Sequence, residues 1–414
     1  MKLSCIIPTH NRCISLRRAL ESLVPMLQEA DGEVVVVNKN STDQTQQVAE
    51  SFGERVRVIF EGRTAFTRAR SRGGEAARGE VLLYLDDDVI VEIGSLIEVC
   101  RVFERYKDAG ILAGRIEPEF EVVPPDWVVA CQLTFNGLSI YSPSNIAKLG
   151  TGFQVVTSAA GPMMAIRRED YEAVGGFPPD TIGVETNTSG KAFRKLYVGP
   201  GDYGLCHKIR NAGRKIYYSP VARCRHVIPP IRCTIAFWRS RMIGEGQHAA
   251  VTNRVFFCKH RSELTSIRVD NLTRFENTCA SLREFYNNRL TALGADCRFN
   301  GMHPDEIWMH YSKAYLEMDS LLEAHPDLGP YLWQLAKEGV ADSDFESVLN
   351  RLPEDFRKSV LDGQYYDNEP YSPNLLPPPT LSVVAPPMYE SEVSAELRKR
   401  NLKKKFGSLL RKVF

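Results

Sequence analysis

Residues 81–88 read VLLYLDDD, five apolar residues followed directly by three carboxylates. An uninterrupted apolar run of this length is typical of a strand that is buried on both faces of a sheet. Successive side chains of an extended backbone point to opposite faces, so Asp86 and Asp88 should share one side and Asp87 the other. Two carboxylates that converge at a strand end suit a hard cation such as Mg²⁺ or Mn²⁺. The alternative for the triplet alone is a solvated acidic turn.

Similar apolar strands recur on both sides of this one. The pattern predicts strands at 4–7, 33–37, 55–60, 110–114 and 163–167, with helices at 14–28, 43–51, 67–77 and 94–106. Strands that alternate with helices indicate βαβ units and an α/β fold with a doubly wound, mainly parallel sheet. Ligands of such sheets bind at the carboxyl ends of the strands, where the three carboxylates stand.

Four segments follow from composition and periodicity. Residues 1–255 carry the α/β pattern, although 116–160 are less regular and the polar stretch 181–191 reads as a mobile loop. Residues 256–362 are predicted to be a helical extension, because apolar residues from 275 to 293 recur at steps of three and four. Residues 363–393 are a proline-rich linker, and 394–414 form a basic amphipathic tail helix.

Composition excludes several classes of protein. The 414 residues are 43% hydrophobic and 25% charged, which is ordinary for a soluble globular chain. The net charge of +1 provides no overall field that would recruit nucleic acid. The ten cysteines include no C-x-x-C pair, so buried thiols in a cytoplasmic protein are expected rather than a zinc ribbon or disulfide framework. The sequence shows no signal peptide pattern and no apolar run of about 20 residues.

The segments around the acidic triplet resemble, in order, the motifs of family 2 glycosyltransferases. The matches cover about residues 1–250: CIIPTHNR at 5–12, VVNKNSTD at 36–43, ARSRG at 69–73, ARGE at 77–80, GPMMAIRRE at 161–169 and VGGF at 174–177. The resemblance implies the GT-A fold, a nucleotide-sugar donor and inverting transfer. A UDP-sugar is the first candidate donor.

The resemblance also implies roles on the donor side. Asp88 would hold a divalent metal ion, Mg²⁺ or Mn²⁺, with Asp86 holding the metal ion or the ribose. Thr9, Asn38 and Arg70 match positions that line the nucleotide pocket. Lys39 stands where the family usually has Asp or Asn, and its ammonium group cannot accept hydrogen bonds from a base edge. By itself, Arg70 would read as part of a solvated basic helix face.

The predicted general base is Asp202. Residues 197–206, YVGPGDYGLC, match the family segment in which the base opens a helix after a loop, with Gly201 replacing the usual Glu. A carboxylate there would accept the proton of the acceptor hydroxyl as its oxygen attacks the anomeric carbon. From spacing alone, Asp202 could equally be a helix cap.

A histidine lies near the end of the matched region. Residues 223–234, RCRHVIPPIRCT, are similar to the H-x-x-P…R-x-T segment that ends the catalytic domain in many bacterial members. His226 could be a third metal ligand or bond a phosphate, and the alternative is a structural histidine.

The sequence of the C-terminal tail, residues 394–414, indicates where in the cell the protein is located. Leu402, Phe406, Leu409, Leu410 and Val413 form an apolar stripe among eight basic residues, which suits a helix on an anionic membrane surface. A disordered tail or a helix docked on a partner subunit are the alternatives.

The sequence therefore predicts a metal-dependent glycosyltransferase that acts on a polysaccharide, glycolipid or other hydroxyl acceptor, in the cytoplasm or on the inner face of the membrane. Two other functions are open. A nucleotidyltransferase also uses paired carboxylates on Mg²⁺, although the Gly-rich phosphate loop usual for that class is missing between Pro8 and Ala19. A non-catalytic protein that binds nucleotide sugars is compatible with Gly201 and Lys39.

Overall fold

The strands and helices alternate through the first half of the chain, and helices dominate the second. The computed structural model describes residues 1–64, 66–144, 146, 149–184, 194–293, 302–341 and 344–357. The strands are β1 (Leu3–Thr9), β2 (Gly32–Asn38), β3 (Val56–Phe60), β4 (Arg63–Thr64), β5 (Val81–Leu85), β6 (Val89–Val91), β7 (Ala109–Phe120), β8 (Gln154–Val156), β9 (Met163–Arg167), β10 (Thr181–Val184), β11 (Arg194–Tyr197), β12 (Lys215–Ile228) and β13 (Val340–Ala341). The helices are α1 (Cys13–Leu23), α2 (Thr45–Glu50), α3 (Phe66–Ala76), α4 (Ser95–Arg105), α5 (Asp126–Thr134), α6 (Arg168–Ala173), α7 (Gly201–Asn211), α8 (Ile235–Val255), α9 (Arg261–Leu293), α10 (Pro304–Ala324), α11 (Leu328–Glu338) and α12 (Phe345–Asn350).

One large sheet carries the first half of the chain. Its order is β3-β2-β1-β5-β9-β7-β12-β6, with β8 paired to β12. The pairs among β1, β2, β3 and β5 are parallel, as is the β7–β12 pair, while β9 runs antiparallel to both β5 and β7. The predicted α/β fold with a mainly parallel sheet is confirmed, and the βαβ crossovers place helices over both faces of the sheet.

The core explains why the predicted strands form. Every residue of β1, β2 and β5 is buried, so these continuous apolar runs lie between helix layers rather than at a surface. The apolar faces of α1 and α4 close this core through Leu16, Leu20, Val99 and Phe103, among others. Burial of such side chains is the main force that holds a layered fold together.

The helical extension packs on the sheet domain rather than standing apart. Val198, from the segment before α7, shares a hydrophobic cluster with residues of α8, α10 and α11. The short strand β13 pairs with β4, and Arg63 Nη1 donates a hydrogen bond to Glu338 O over 3.2 Å. The chain therefore returns from the extension to the loop that precedes α3.

The structure forms regular elements in two stretches that the sequence pattern predicts to be irregular. Residues 116–160, expected to be less regular, contain the end of β7, all of α5 and β8. Residues 181–184, expected to belong to a mobile loop, form β10 and pair with β11, since backbone pairing can override a polar composition. The rest of that predicted loop lies outside the described residues.

The predicted linker at 363–393 and tail helix at 394–414 also lie outside the described residues. Cys297 is likewise not described, and the other nine cysteines form no disulfide with one another. Six of these nine thiols are buried, while Cys258 is exposed. Within the described parts, no helix combines the length and the apolar character that crossing a bilayer requires.

Candidate active site

Three potential metal ligands meet just beyond the end of β5. The ligand atoms of Asp86, Asp88 and His226 all lie within 4.8 Å of one another. His226 stands on β12 opposite Val89 of β6, so the antiparallel pairing of these two strands brings the imidazole to the carboxylates. The shared side of Asp86 and Asp88 is the one that strand alternation indicates.

Hydrogen bonds orient the imidazole of His226. The side chain is 2% exposed, and Nδ1 donates to Leu138 O over 3.0 Å. Arg232 Nη1 donates to Nε2 over 2.9 Å, so Nε2 serves as the acceptor. A histidine whose Nδ1 proton is held by a backbone carbonyl presents the Nε2 lone pair in the arrangement that metal ligands use.

The carboxylate of Asp88 is buried among cations. Its Oδ2 accepts from Arg12 Nη1 and Arg232 Nη2, each over 3.1 Å. Burial opposes ionisation, but the neighbouring imidazole of His226 and the guanidinium groups of Arg232 and Arg12 hold the pKa of Asp88 well below its usual value.

The other oxygen of Asp88 shows that the cluster fits a cation. Oδ1 is buried without a hydrogen-bond donor from the described residues and lies 3.2 Å from His226 Nε2. Two acceptors that face each other at this distance are stabilised by a cation between them. Two carboxylates with one imidazole are a ligand set that Mn²⁺ accepts.

The side chain of Asp87 does not belong to the cluster of Asp86, Asp88 and His226. It joins the turn after β5 to the end of β1. Its Oδ2 accepts from Thr9 Oγ1 and its Oδ1 from Arg12 Nη1, both over 2.7 Å. Burial raises the pKa of Asp87 to about 6, against the opposing charge of Arg12. Thr9, a predicted nucleotide contact, therefore has its hydroxyl engaged by Asp87.

The second predicted nucleotide contact, Asn38, organises the turn after β2. Its Oδ1 accepts from Ser41 N and its Nδ2 donates to Gln46 Oε1, each over 2.9 Å. The backbone N–H of Lys39 donates to Thr9 O, which joins this turn to the end of β1. Thr9 and Asn38 thus stand on adjacent strands at the carboxyl edge of the sheet.

Arg70 connects the acidic cluster to the predicted base. Its side chain is 1% exposed, and Nη2 donates to Asp86 Oδ1 over 2.9 Å while Nη1 donates to Asp202 Oδ1. The guanidinium carbon also lies 5.7 Å from the ring centroid of Phe177. One buried cation thereby joins carboxylates that are far apart in sequence.

The backbone around Asp202 is shaped by two glycines. A Cβ on Gly161 would overlap Asp202 Oδ2 and Arg70 Nη2, so any other residue there would force this ion pair to shift. Gly201 opens α7 with a φ of +44°, a conformation that glycine adopts readily. This backbone gives a physical reason for Gly201 in place of the family's usual Glu.

The environment of Asp202 favours its protonated form more than water does. Burial raises the pKa of Asp202, and nearby Asp86 and Asp180 add to that effect against the opposing charge of Arg70. The side chain still keeps 30% of its surface exposed, so a hydroxyl group can reach it. A carboxylate with these properties suits proton acceptance.

Sequence reasoning assigned no role to Arg12, Arg232 or Gly161, which the structure brings into the site. Arg12 ends the CIIPTHNR segment and Arg232 lies in the R-x-T part of the His226 segment. Both arginines belong to motifs of the sequence analysis, but no spacing rule indicates that either would pair with Asp88.

Comparisons with known proteins identify a family model and sequence relatives that this chain resembles. Residues 4–175 match the model of glycosyl transferase family 2. Glucosyl-dolichyl phosphate glucuronosyltransferase of Haloferax volcanii is 22% identical over 62% of this chain and 79% of its own length. The O-antigen chain rhamnosyltransferase WbaN of Salmonella anatum is 23% identical over 53% of this chain and 64% of its own length, less than two thirds of that protein.

A solved structure is also similar. Mannosyltransferase PcManGT from Pyrobaculum calidifontis, in complex with GDP-Man and Mn²⁺, is 17% identical over 87% of this chain and 85% of its own, with a TM-score of 0.41. That score is low, so the assignment depends on the family model and the sequence relatives. By these comparisons, residues 4–175 are similar to glycosyl transferase family 2, and the chain is a glycosyltransferase with the GT-A fold.

Proposed function

We propose that this protein is a metal-dependent, inverting glycosyltransferase that moves a sugar from a nucleotide-sugar donor to a hydroxyl acceptor. A UDP-sugar is the first candidate donor, and a polysaccharide or glycolipid is the acceptor class. The single observation that carries the proposal is the buried Arg70, which joins Asp86 of the acidic cluster to Asp202. The Asp86 end of that link suits a leaving diphosphate. The Asp202 end suits an attacking hydroxyl group.

On the donor side, Asp86, Asp88 and His226 would hold Mg²⁺ or Mn²⁺. The bound ion would neutralise negative charge that develops on the leaving diphosphate. Arg12 and Arg232 both pair with the carboxylate of Asp88, and their positive charges would lie next to the diphosphate. Thr9, Asn38 and Arg70 would border the nucleotide, with Lys39 at the edge of that pocket.

On the acceptor side, Asp202 would act as the general base. Its carboxylate would take the proton of the acceptor hydroxyl while the hydroxyl oxygen attacks the anomeric carbon. Arg70 would hold the carboxylate in position through Nη1, together with a backbone hydrogen bond from Gly161 to the same carboxylate. Attack from the face opposite the leaving diphosphate inverts the anomeric centre.

The names of the relatives support the acceptor class. One is named for transfer to a glucosyl-dolichyl phosphate and another for an O-antigen chain. Such acceptors are lipid-linked or polymeric glycans, and their assembly fits a protein held at the cytoplasmic face of a membrane. The basic amphipathic pattern of residues 394–414 supports that location.

Donor turnover by the purified full chain tests the proposal. The chain is incubated with a panel of UDP- and GDP-sugars, with Mn²⁺ or with EDTA, and the released nucleotide is measured. The expected result is slow, metal-dependent release of a nucleoside diphosphate from at least one donor. Pyrophosphate release from a nucleoside triphosphate and a sugar phosphate would favour a nucleotidyltransferase. Donor binding without turnover would favour a non-catalytic binding protein.

A further inference from the structure

Asp180 lies where the starts of α3 and α7 meet. It follows Pro178 and Pro179 and stands directly before β10. The two helices carry the two members of the buried ion pair, with Arg70 on α3 and Asp202 on α7. The position of one helix start against the other therefore decides how this ion pair is aligned.

The carboxylate of Asp180 caps the start of α3. Its Oδ1 accepts from Thr67 N over 3.2 Å and from Thr67 Oγ1 over 2.8 Å, and Thr181 Oγ1 donates to the same oxygen over 3.1 Å. The first backbone N–H groups of a helix have no acceptor within the helix, so a carboxylate there stabilises it. Thr67 is 3% exposed, and its acceptor comes from 113 positions further along the chain.

The backbone of Asp180 holds the segment that leads into α7. Its carbonyl oxygen accepts from Val198 N over 2.8 Å and from Gly199 N over 3.1 Å. A Cβ on Gly199 would overlap Pro179 O, so the two segments approach each other as closely as backbones can. These contacts fix the chain three residues before Asp202.

The side chain of Asp180 also borders Gly201, the first residue of α7. A Cβ on Gly201 would lie 3.4 Å from Asp180 Cβ, 3.9 Å from Thr67 Cγ2 and 4.0 Å from Asp180 Oδ2. Asp180 and Thr67 therefore border the space that a side chain at position 201 would enter. Because Gly201 stands where the resembled family usually has Glu, Asp180 brings a carboxylate to a place that would otherwise have none.

The charge of Asp180 acts on both members of the ion pair. Burial raises the pKa of Asp202 most, and the charges of Asp86 and Asp180 add to that effect against the opposing charge of Arg70. Burial alone would lower the pKa of Arg70, but the charges of Asp202, Asp86 and Asp180 outweigh burial and raise it. A carboxylate whose charge affects both groups lies near both.

We propose that Asp180 is a positioning residue for sugar transfer, which joins the start of α3 to the start of α7 and thereby aligns Arg70 with Asp202. This inference rests on the proposed function, in which Asp202 accepts the proton of the attacking hydroxyl group. Asp180 itself would not touch the reacting atoms. Its side chain caps α3 and its carbonyl oxygen holds the approach to α7, so one residue sets both partners of the ion pair.

Substitution of Asp180 separates positioning from donor binding. The assay uses the full chain, Mn²⁺ and the UDP- or GDP-sugar that the unchanged chain hydrolyses fastest. In Asp180→Ala, kcat should fall by about 10–100-fold, because a displacement of about 1 Å can cost 10²-fold. The donor affinity, measured by thermal shift, should stay within a small factor, since Asp86, Asp88 and His226 are unchanged. Asp180→Asn keeps an acceptor oxygen for Thr67 and should recover most of the lost turnover.

Hydrogen exchange read by mass spectrometry tests the same contact without turnover. In Asp180→Ala, the peptides that cover the starts of α3 and α7 should both exchange faster, by about two- to thirtyfold, which is the cost of a lost helix cap expressed as a rate. In Asp180→Asn, both should stay protected. Faster exchange at the start of α3 alone would overturn the proposal, because Asp180 would then not join the two helices.

Thr67→Val changes the other side of this contact. It removes the hydroxyl donor to the carboxylate of Asp180 and keeps the shape of the side chain, so exchange should become faster at the same two places. If Asp180→Ala does not fold, this variant decides the matter. Unchanged exchange and unchanged kcat in Thr67→Val would then overturn the proposal.

Asp108→Ala is the matched control. Asp108 pairs with Lys215 over 2.7 Å and accepts from Tyr217 Oη over 3.1 Å. It stands just before β7, at the edge of the sheet opposite to the strand ends that hold the site. This variant should keep kcat and the exchange at both helix starts. Equal loss of kcat in Asp180→Asn and Asp180→Ala, loss of donor affinity in step with kcat, or unchanged kcat in a folded Asp180→Ala would overturn the proposal.

The unchanged chain separates this proposal from the proposed function. Donor hydrolysis by the unchanged chain, together with an unaffected Asp180→Ala variant, removes the positioning role and leaves the proposed function standing. Absence of any donor hydrolysis contradicts the proposed function, and the exchange data still decide whether Asp180 joins the two helices.

Discussion

Asp88 is the residue on which the metal hypothesis depends most. Asp88→Asn keeps the shape of the side chain but removes the charge that faces His226 Nε2 across 3.2 Å. We expect the Mn²⁺-induced rise in Tm to disappear and donor hydrolysis to fall by at least about 10²-fold, the scale for loss of one electrostatic stabiliser. Glu92→Gln is the control, because Glu92 lies on the nearby surface and pairs with Arg223. Normal Mn²⁺-dependent hydrolysis in Asp88→Asn would remove the acidic cluster from the mechanism.

Asp202 should affect turnover and not donor binding. Asp202→Asn leaves Asp86, Asp88 and His226 unchanged, so the affinity for Mn²⁺ and the donor should stay within a small factor. Turnover should fall by roughly 10²–10⁴-fold, the usual scale for loss of a general base. Thermal shift measures the first quantity and nucleotide release the second. Equal losses of binding and turnover would indicate that Asp202 positions the donor rather than accepts a proton.

The raised pKa of Asp202 predicts a pH dependence. The carboxylate is the active form of a base, so turnover should fall as the pH falls through the pKa of Asp202. Burial places that pKa above the ordinary value of 3.8, and the acidic limb should therefore lie at a higher pH than for an exposed aspartate. The pH profile of kcat at saturating donor measures it. A profile that is flat down to pH values near 4 would contradict the assignment.

Arg70 shows how far sequence reasoning reaches at the scale of one residue. Periodicity alone would place it on a solvated basic face, yet its side chain is 1% exposed between two carboxylates. Its partner Asp202 lies 132 positions further along the chain, and no local pattern encodes such a contact. Only the motif resemblance brought Arg70 into the predicted site, and its link to Asp202 needed the structure.

Single elements differ in how clearly the sequence marks them. The buried strands β1, β2 and β5 are continuous apolar runs, and the predicted boundaries lie within two residues of the observed ones. Helix α5 was not predicted, because its sequence is apolar around most of its circumference and follows two prolines. Val128 and Cys131 pack inward while Leu133 is 62% exposed, so no amphipathic period marks the helix.

Helix α5 nevertheless supports His226, one of the candidate metal ligands. Gln132 Oε1 accepts from Leu138 N over 2.9 Å, and the carbonyl of the same Leu138 holds Nδ1 of His226. Gln132→Leu should release that loop and weaken Mn²⁺ binding by about 10–100-fold, the range for loss of a support of a metal ligand. Isothermal calorimetry of Mn²⁺ binding measures the change.

Leu133→Ala is the control for this prediction, since Leu133 lies beside Gln132 in sequence and is exposed. Circular dichroism would establish that both variants are folded. Unchanged Mn²⁺ affinity in a folded Gln132→Leu variant would show that the loop does not orient His226.

At the scale of the whole molecule, sequence order predicts the α/β sheet but not the way in which the extension returns to it. The pairing of Val340–Ala341 with Arg63–Thr64 joins segments more than 270 residues apart. These are two-residue strands with no pattern of their own, so only the folded chain reveals them. The contact lies just before α3, the helix that carries Arg70, so the extension packs on the segment that leads into this helix.

The last prediction concerns the tail, residues 394–414, whose net charge is +7. Each basic residue near an anionic bilayer contributes about 1 kcal/mol, and salt screens this attraction over a Debye length of about 8 Å. The apolar stripe from Leu402 to Val413 adds a contribution that salt does not weaken. The full chain should therefore sediment with anionic vesicles and be partly released by salt.

A chain that ends at residue 390 should stay in solution with the same vesicles and keep its metal-dependent donor hydrolysis, because the seven prolines between 363 and 390 predict a linker that separates the tail from the folded part. In a full-length variant, Lys403, Lys404 and Lys405 are changed to Gln. The fraction of this variant that sediments with anionic vesicles should lie between those of the full and the shortened chains, since it keeps the apolar stripe. Cosedimentation with anionic and neutral vesicles measures all three proteins. If the full and shortened chains sediment equally, or neither sediments, the tail does not bind membranes and a helix docked on a partner subunit becomes the better account.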